Sequence, residues 1–200
     1  MLLRMIPRIA IFLTALAQML SGDILYGLFC LLALAITLVP AVMTGRLDAG
    51  IPLLLELGLL CLMVTDMTLG NLLGFYSLPG YDKIVHLASS MLVGMVGLFA
   101  INVLHQSGHT RFRPWLDGLA ILLLTLGVGA LWEIAEYIVD QLFGRAAQTS
   151  PGMSEIDDTM IDLILDAVGG LLAAIVGPLF IRHSRRTRDE LRALVAMLPA

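Results

Sequence analysis

The chain has 200 residues, 58% of them hydrophobic and only 14% charged. An average soluble domain is about 45–50% apolar and about 25% charged, so this composition excludes a disordered chain and a disulfide scaffold. The chain has 12 Lys and Arg residues and 16 Asp and Glu residues, which gives a net charge of −4. So few basic residues exclude a nucleic-acid-binding surface. The composition predicts an all-α protein that crosses a membrane several times.

Six apolar runs are long enough to cross about 30 Å of hydrocarbon at a helical rise of about 1.5 Å per residue. Short polar or Gly- and Pro-containing segments separate them. The first run carries an Ala15-Leu16-Ala17 sequence similar to a signal-peptide cleavage site, but it continues to Leu20, which favours an uncleaved span. The predicted spans cover residues 6–20, 24–43, 51–69, 81–104, 115–143 and 158–181.

The predicted organisation is a bundle of about six transmembrane helices over residues 1–182, followed by a basic tail over 183–200. In the tail, Leu191, Leu194, Val195 and Leu198 recur at helical spacing, which predicts an amphipathic helix. Such a helix either lies on the anionic inner leaflet or only fixes the topology. Small residues in the fourth and sixth spans predict close helix contacts. These are Gly94, Gly97, Gly169 and Gly170.

Basic residues predict the orientation of the bundle. With six spans, ten arginines fall on one side, and only Lys83 and Arg145 fall on the other. Because Lys and Arg concentrate on the cytoplasmic side, we expect both termini of this multi-pass protein to lie in the cytoplasm.

Ionisable residues inside spans are costly and usually mark function or a paired network. Here they form stripes, because residues three or four apart share a helix face. With alternating spans, most of them fall in the outer half of the membrane, whereas Glu56 and Asp117 fall on the cytoplasmic side. We therefore expect a polar cavity that opens outward. The residues of the outer half are Asp66, Asp82, His86, Glu133, Glu136, Asp140, Asp158, Asp162 and Asp166.

The charge of this predicted cavity is unbalanced, because up to nine carboxylates, the eight just listed and Asp157, face one His and one Lys. So many like charges cannot all ionise at low dielectric, so a cation binds or some carboxylates hold protons. Carboxylate oxygens and one imidazole suit a divalent ion such as Mg²⁺, Mn²⁺, Ca²⁺ or Zn²⁺. The predicted metal ligands are Asp82, His86, Glu133, Glu136, Asp162 and Asp166.

A metal held at this depth would polarise a phosphate or activate water on a membrane lipid. We therefore predict catalytic roles for His86, Glu133 and Asp162. Lys83 would pair with a phosphate, and Ser90 (with Ser89 beside it) would donate to a substrate oxygen. The predicted reaction is a metal-dependent hydrolysis or transfer on a lipid or lipid-linked phosphate of the cell envelope.

Two other functions stay open at this point. In the first, the stripes would form the structural network of a non-catalytic envelope factor. Asp157 and Asp158 would then cap the sixth helix beside Ser154, and Asp66 would bond a neighbouring helix. In the second, the stripes would form the proton relay of a proton- or cation-coupled transporter, although the sequence has no inverted repeat. A homo-oligomer would lengthen that relay.

Three motifs in order resemble the YjdF-like family of bacterial inner-membrane proteins. They are Tyr81-Asp82-Lys83-x-x-His86, Trp132-Glu133-x-x-Glu136 and Asp158-Thr159-x-x-Asp162-x-x-x-Asp166-x-x-Gly169.

The chain is more remotely similar to the VanZ-like family, which has Asp-Lys-x-x-His, Glu-x-x-Gln and Asp-x-x-x-Asn. Glu136 and Asp166 stand where VanZ-like proteins have amides. The likeness covers roughly residues 51–177 and supports the membrane location and the site residues. The link of VanZ-like proteins to teicoplanin resistance implies a role at the cell envelope.

Overall fold

The computed structural model describes residues 2–44, 52–108 and 113–196. All regular structure in these ranges is helical, which confirms the predicted all-α fold. A π-helical segment, Val64–Leu72, continues α3, and a short 3₁₀ helix, Phe75–Ser77, follows it. The α-helices are α1 Leu2–Leu20, α2 Ile24–Thr44, α3 Leu53–Met63, α4 Tyr81–Gln106, α5 Pro114–Phe143, α6 Glu155–His183 and α7 Arg185–Val195.

Within the described ranges, five helical segments are long and apolar enough to cross a membrane, so the protein is a multi-pass membrane protein. The second predicted span is also helical, but its described apolar part, Ile24–Val39, is shorter than the other five, so the sixth crossing stays a prediction. Arg46, Arg111 and Leu198, used in the predictions of orientation and tail, lie outside the described residues. The five helical segments that are long and apolar enough to cross a membrane are Leu2–Leu20, Leu53–Leu72, Tyr81–Gln106, Pro114–Phe143 and Glu155–His183.

Local sequence accounts for the ends of the two helices that matter most for the site. Pro114 begins α5, where its missing N–H costs nothing, and Gly144 ends it in the left-handed region with φ 61°. Ser154 caps α6 by accepting a hydrogen bond from the Asp157 N–H at 3.2 Å. These signals fix where α5 stops and where α6 starts.

The third span departs from the predicted regular helix. After Met63 its hydrogen bonds widen to the π register, and this register holds for nine residues. Gly74 then turns the chain with φ 75°. The helix register depends on backbone bonds that side-chain periodicity does not report, so the apolar pattern predicted the span but not its π-helical half.

The chain divides into two compact units, Met1–Tyr81 and Asp82–Ala200. The core of the first unit is apolar and includes Ile11, Cys30, Leu60 and Met67. A hydrogen bond of 2.8 Å joins Thr14 of α1 to Thr68 of the π-helical segment. The predicted bundle over residues 1–182 with a separate tail stays a prediction.

Small residues bring the helices of the second unit close together, as the sequence predicts. A methyl group on Gly94 would overlap the side chain of Ala173, and one on Gly170 would overlap Thr125. Gly169 similarly lies against Ser90 and the backbone of α4. Contacts this close place polar side chains of α4 directly against α6.

The basic tail forms the predicted helix, α7. Its Leu191 is fully buried, while Arg186 and Arg192 are exposed. Both arginines pair with acids of the same helix, Arg186 with Glu190 at 2.9 Å and Arg192 with Asp189 at 3.4 Å. The location of α7 on a lipid leaflet stays a prediction.

Candidate functional site

Polar side chains of α4, α5 and α6 meet in the second unit. Helix α4 contributes them from its first three turns, α5 from its second half, and α6 from three successive turns on one face. Most are at least nine-tenths buried. We call this group the acidic cluster. It consists of Asp82, Lys83, His86, Ser90, Glu133, Asp158, Asp162 and Asp166.

His86 lies at the centre of the acidic cluster and is only 7% exposed. Its Nε2 atom lies 3.9 Å from Asp82 Oδ1 and 4.0 Å from Glu133 Oε1. Its Nδ1 atom lies 3.7 Å from Asp162 Oδ1 and 3.9 Å from Asp166 Oδ1. All four separations exceed a direct hydrogen bond, so none of these four carboxylate oxygens is directly bonded to the imidazole.

Lys83 neutralises part of the acidic cluster. Its ammonium lies 3.0 Å from Asp82 Oδ2 and 2.6 Å from Asp162 Oδ2, and it also donates to the carboxylate of Asp158. The Lys83 side chain is 12% exposed. The residue predicted to pair with a substrate phosphate therefore has three carboxylate partners within the protein.

Two aspartates divide their oxygens between Lys83 and His86. Asp82 directs Oδ2 to Lys83 and Oδ1 towards His86. Asp162 likewise directs its Oδ2 to Lys83 and its Oδ1 towards His86. Lys83 thus fixes the orientation of both carboxylates, and their Oδ1 atoms are directed to the imidazole. Asp82, His86 and Asp162 each offer one ligand atom, and these atoms lie within 4.8 Å of one another.

Three buried oxygens of the acidic cluster have no hydrogen-bond partner in the part of the chain that the structure describes. They are Glu133 Oε1, Asp162 Oδ1 and Asp166 Oδ2. An unpaired buried carboxylate oxygen is costly. Two of the three, Glu133 Oε1 and Asp162 Oδ1, are directed at His86. The arrangement therefore has free ligand atoms where a cation or shared protons would lie.

Asp166 contacts both α4 and α5. Ser90 donates its hydroxyl to Asp166 Oδ1, and the same hydroxyl lies 2.8 Å from the His86 carbonyl. Gly129 of α5 lies against the Asp166 carboxylate. Ser90, predicted to contact a substrate, thus also links α4 to α6.

Three of the six predicted metal ligands, Glu133, Glu136 and Asp166, lie outside the group formed by Asp82, His86 and Asp162. Among these three, Glu136 bonds within its own helix. Its carboxylate accepts a hydrogen bond of 2.8 Å from Trp132 Nε1, one turn earlier on α5. Asp82, His86 and Asp162 do come together, and Glu133 and Asp166 each lie within 4.0 Å of His86. The other predicted ligands therefore surround one imidazole.

One residue of the site, Ser150, was not predicted as part of it. Asp158 was predicted in the outward cavity, with helix capping as the alternative; Ser154 and Asp157 bond each other at the start of α6, and Asp158 turns to Lys83. Ser150, in the connection before α6, donates to Asp82 Oδ2 at 2.9 Å. The stripe spacing of Asp158 was a usable signal, whereas the sequence has none for Ser150.

The other ionisable residues of the spans have partners elsewhere. In the first unit, Tyr76 donates to Asp66 at 2.6 Å, and Glu56 accepts bonds from Arg4 and Arg8. In the second unit, Asp140 accepts bonds from two backbone N–H groups of the connection that follows α5.

The fold defines a multi-pass helical membrane protein, and its second unit holds a largely buried cluster of carboxylates around one histidine. The chain belongs to the family described as predicted membrane protein (DUF2238), which matches residues 2–183. An uncharacterized protein of Thermotoga maritima is 35% identical over 104 residues, which are 50% of each chain. The chain thus matches about half the length of that relative. No solved structure matches the chain.

Proposed function

We propose that this protein is a metal-dependent hydrolase or transferase that acts on a lipid or lipid-linked phosphate. The observation that carries the proposal is the approach of Asp82, His86 and Asp162 to within ligand distance of one another, with a buried free oxygen on Asp162. Oxygen ligands and one imidazole suit Mg²⁺, Mn²⁺, Ca²⁺ or Zn²⁺. Such an ion would offset the excess of the cluster's five carboxylates, four of them buried, over one ammonium.

The chain's own residues have distinct roles in this proposal. Asp82, His86 and Asp162 hold the ion, which would supply a polarised phosphate oxygen or an activated water. Glu133 lies 4.0 Å from His86 with a free oxygen, as an acid or base acting near the ion requires. Lys83 and Ser90 are the proposed phosphate contacts. Because each now bonds a carboxylate, a phosphate oxygen would replace one such partner.

The location belongs to the proposal as well. Basic residues favour a bacterial inner membrane with both termini in the cytoplasm and the acidic cluster on the outer side. The resemblance of the three motifs to YjdF-like proteins, and more remotely to VanZ-like proteins, favours the same membrane and a role in the cell envelope. A phosphate-bearing lipid of the outer leaflet is the substrate class that this location would offer.

A second function is favoured by the bonds of Lys83. Three carboxylates that contact one ammonium are also what a structural network needs, which supports a non-catalytic envelope factor.

A third function, a transporter, is favoured by the three aspartates on successive turns of α6, which would suit a proton relay. These alternatives differ from an enzyme in metal content and in turnover.

The first test is elemental analysis of the detergent-purified protein after exposure to Mg²⁺, Mn²⁺, Ca²⁺ and Zn²⁺. We expect about one divalent ion per chain in the wild type and none in a His86→Ala/Glu133→Gln variant. A His183→Ala/Glu155→Gln variant is the matched control, because both residues are exposed and lie on α6 outside the acidic cluster. A wild type without metal would contradict the proposal.

The second test separates the enzyme from the alternatives. The wild type, reconstituted with an extract of bacterial envelope lipids, should release or transfer phosphate, and the double variant should not. If the metal-loaded wild type shows no turnover and each cluster variant only unfolds at lower temperature, the structural function is favoured. Proton or cation flux into proteoliposomes that Glu133→Gln abolishes would favour a transporter.

A further inference from the structure

The connection between α5 and α6, residues 144–154, is irregular but fixed at both ends. At its start, Asp140 accepts the N–H groups of Ala147 at 2.7 Å and Gln148 at 3.0 Å. At its end, Ser154 caps α6. In addition, the Gln148 side chain donates to Thr159 Oγ1 on α6 at 3.3 Å. Bonds to both helices therefore hold this connection, which we call the α5–α6 loop.

A tight turn in the α5–α6 loop fixes Ser150. The N–H of Met153 donates to the Ser150 carbonyl at 3.1 Å, with Pro151 and Gly152 between them. Gly152 has φ 81°, and Pro followed by Gly in the left-handed region is typical of a type II turn. Because Ser150 begins this turn and precedes a proline, its own backbone conformation is restricted.

That hydroxyl reaches the acidic cluster. Ser150 is 8% exposed and donates to Asp82 Oδ2 at 2.9 Å. The same oxygen accepts from Lys83 at 3.0 Å, while Asp82 Oδ1 is directed towards His86. Two donors on Oδ2 hold the carboxylate in one rotamer and leave Oδ1 for the imidazole side. Ser150 is thus the loop residue that sets how Asp82 presents its other oxygen, Oδ1, to His86.

We infer that Ser150 is a positioning residue for Asp82, and that it couples cation binding at Asp82, His86 and Asp162 to the order of the α5–α6 loop. The part of the inference that concerns the cation rests on the proposed function. Partners behind a metal ligand orient it, and their loss typically lowers metal affinity about 10- to 100-fold. Binding that depends on the loop must in turn stabilise the loop, because the coupling is reciprocal.

The first experiment tests the bond to Asp82 without metal. Hydrogen exchange of the backbone amides of residues 147–153 is measured in chelator for the wild type, Ser150→Ala, Asp82→Asn and Thr149→Ala. We expect faster exchange in Ser150→Ala and Asp82→Asn. Thr149→Ala is the matched control, since this exposed hydroxyl bonds only Ala146 O within the loop. Equal exchange in Ser150→Ala and the control would overturn the inference, whatever the metal result.

The second experiment titrates the full-length protein with Mn²⁺ and follows free Mn²⁺ by electron paramagnetic resonance. We expect Ser150→Ala to bind Mn²⁺ about 10- to 100-fold more weakly, Ser150→Thr to restore most of the affinity, and Mn²⁺ to slow loop exchange in the wild type. Unchanged affinity in Ser150→Ala overturns the coupling. If the wild type binds no Mn²⁺, the proposed function and the coupling to the cation both fail, while the first experiment still decides whether Ser150 positions Asp82.

Discussion

Gly129 of α5 lies so close to Asp166 of α6 that a methyl group at position 129 would overlap the Asp166 carboxylate. Gly129 is buried, and Asp166 Oδ2 has no hydrogen-bond partner among the described residues. The absence of a side chain on α5 therefore lets α6 bring Asp166 next to His86. Without this close approach, the third carboxylate of the α6 stripe could not reach the acidic cluster.

Replacing Gly129 by alanine should therefore displace Asp166. Inserting a methyl group into a packed interior costs about 1–3 kcal/mol, which should lower the unfolding temperature of the purified protein in detergent and weaken its binding of Mn²⁺. Gly127→Ala is the control, because nothing lies within 4 Å of a methyl group there and alanine favours a helix by about 0.5–1 kcal/mol. Equal unfolding temperatures for the two variants would contradict the contact.

Lys83 should be the most sensitive charged position of the acidic cluster. Lys83→Met leaves three carboxylates without their ammonium, and removing one partner from a buried ion pair costs about 3–5 kcal/mol. We expect a marked fall in unfolding temperature. Adding Asp158→Asn should partly reverse this fall, because it removes one of the carboxylates that Lys83→Met leaves without an ion-pair partner.

Arg186→Met on α7 is the control for the fall in unfolding temperature of Lys83→Met. Arg186 pairs with Glu190 but is 68% exposed, and such surface pairs contribute at most about 1 kcal/mol. If Lys83→Met and Arg186→Met shift the unfolding temperature equally, Lys83 does not neutralise the acidic cluster.

The sequence predicted the helices because apolar length determines what can cross a bilayer and because Pro and Gly mark helix ends. Pro114 and Gly144 bound α5 as their backbone preferences require. Asp82, His86 and Asp162 were predictable as a group because spacings of four residues align side chains on each helix. The close glycines then indicated that α4 and α6 pack tightly enough to join their stripes.

Other parts of the site depend on relations that periodicity does not contain. Glu136 is three residues from Glu133, so it points about 60° away from it around the helix, and its carboxylate accepts a bond from Trp132 of the same helix. An aspartate in the first turn of a helix can either cap it or reach another helix, so Asp158 was ambiguous. The bond from Ser150 arises from a turn in a loop, and no spacing rule connects that loop to Asp82.

A second buried ion pair predicts a similar sensitivity in the first unit. Arg8 donates to Glu56 Oε1 at 2.9 Å and to the Thr37 carbonyl at 3.1 Å, and its side chain is 7% exposed. Arg8→Met should lower the free energy of unfolding by about 1–3 kcal/mol, because the Thr37 carbonyl loses this donor while Glu56 keeps Arg4. Arg8→Lys should be intermediate, because a compact ammonium cannot serve both acceptors as a guanidinium does.

The comparison for Arg8 is Arg192→Met, which removes an arginine that is 72% exposed. Thermal unfolding of the three variants in one detergent measures the difference. An Arg8→Met protein as stable as Arg192→Met would show that the pair with Glu56 contributes nothing.

The same ion pair bears on the number of crossings. Arg4 and Arg8 lie near the start of α1, and Glu56 lies in the first turn of α3. The two helices therefore begin on the same side of the membrane, which requires α2 to return the chain across the bilayer after α1. We accordingly expect six crossings and both termini in the cytoplasm, since arginines dominate that side.

Reporter fusions test this topology. Alkaline phosphatase, which is active outside the inner membrane, should be active when fused after Gly22, Leu78 or Thr149. Green fluorescent protein, which folds in the cytoplasm, should fluoresce when fused after Gly108 or Ala200. If α2 did not cross, an N-terminus in the cytoplasm would place Leu78 there too, and the phosphatase fused at that residue would be inactive. The fusion after Leu78 therefore decides between five crossings and six, and it also decides on which side of the membrane α4 presents Asp82 and His86.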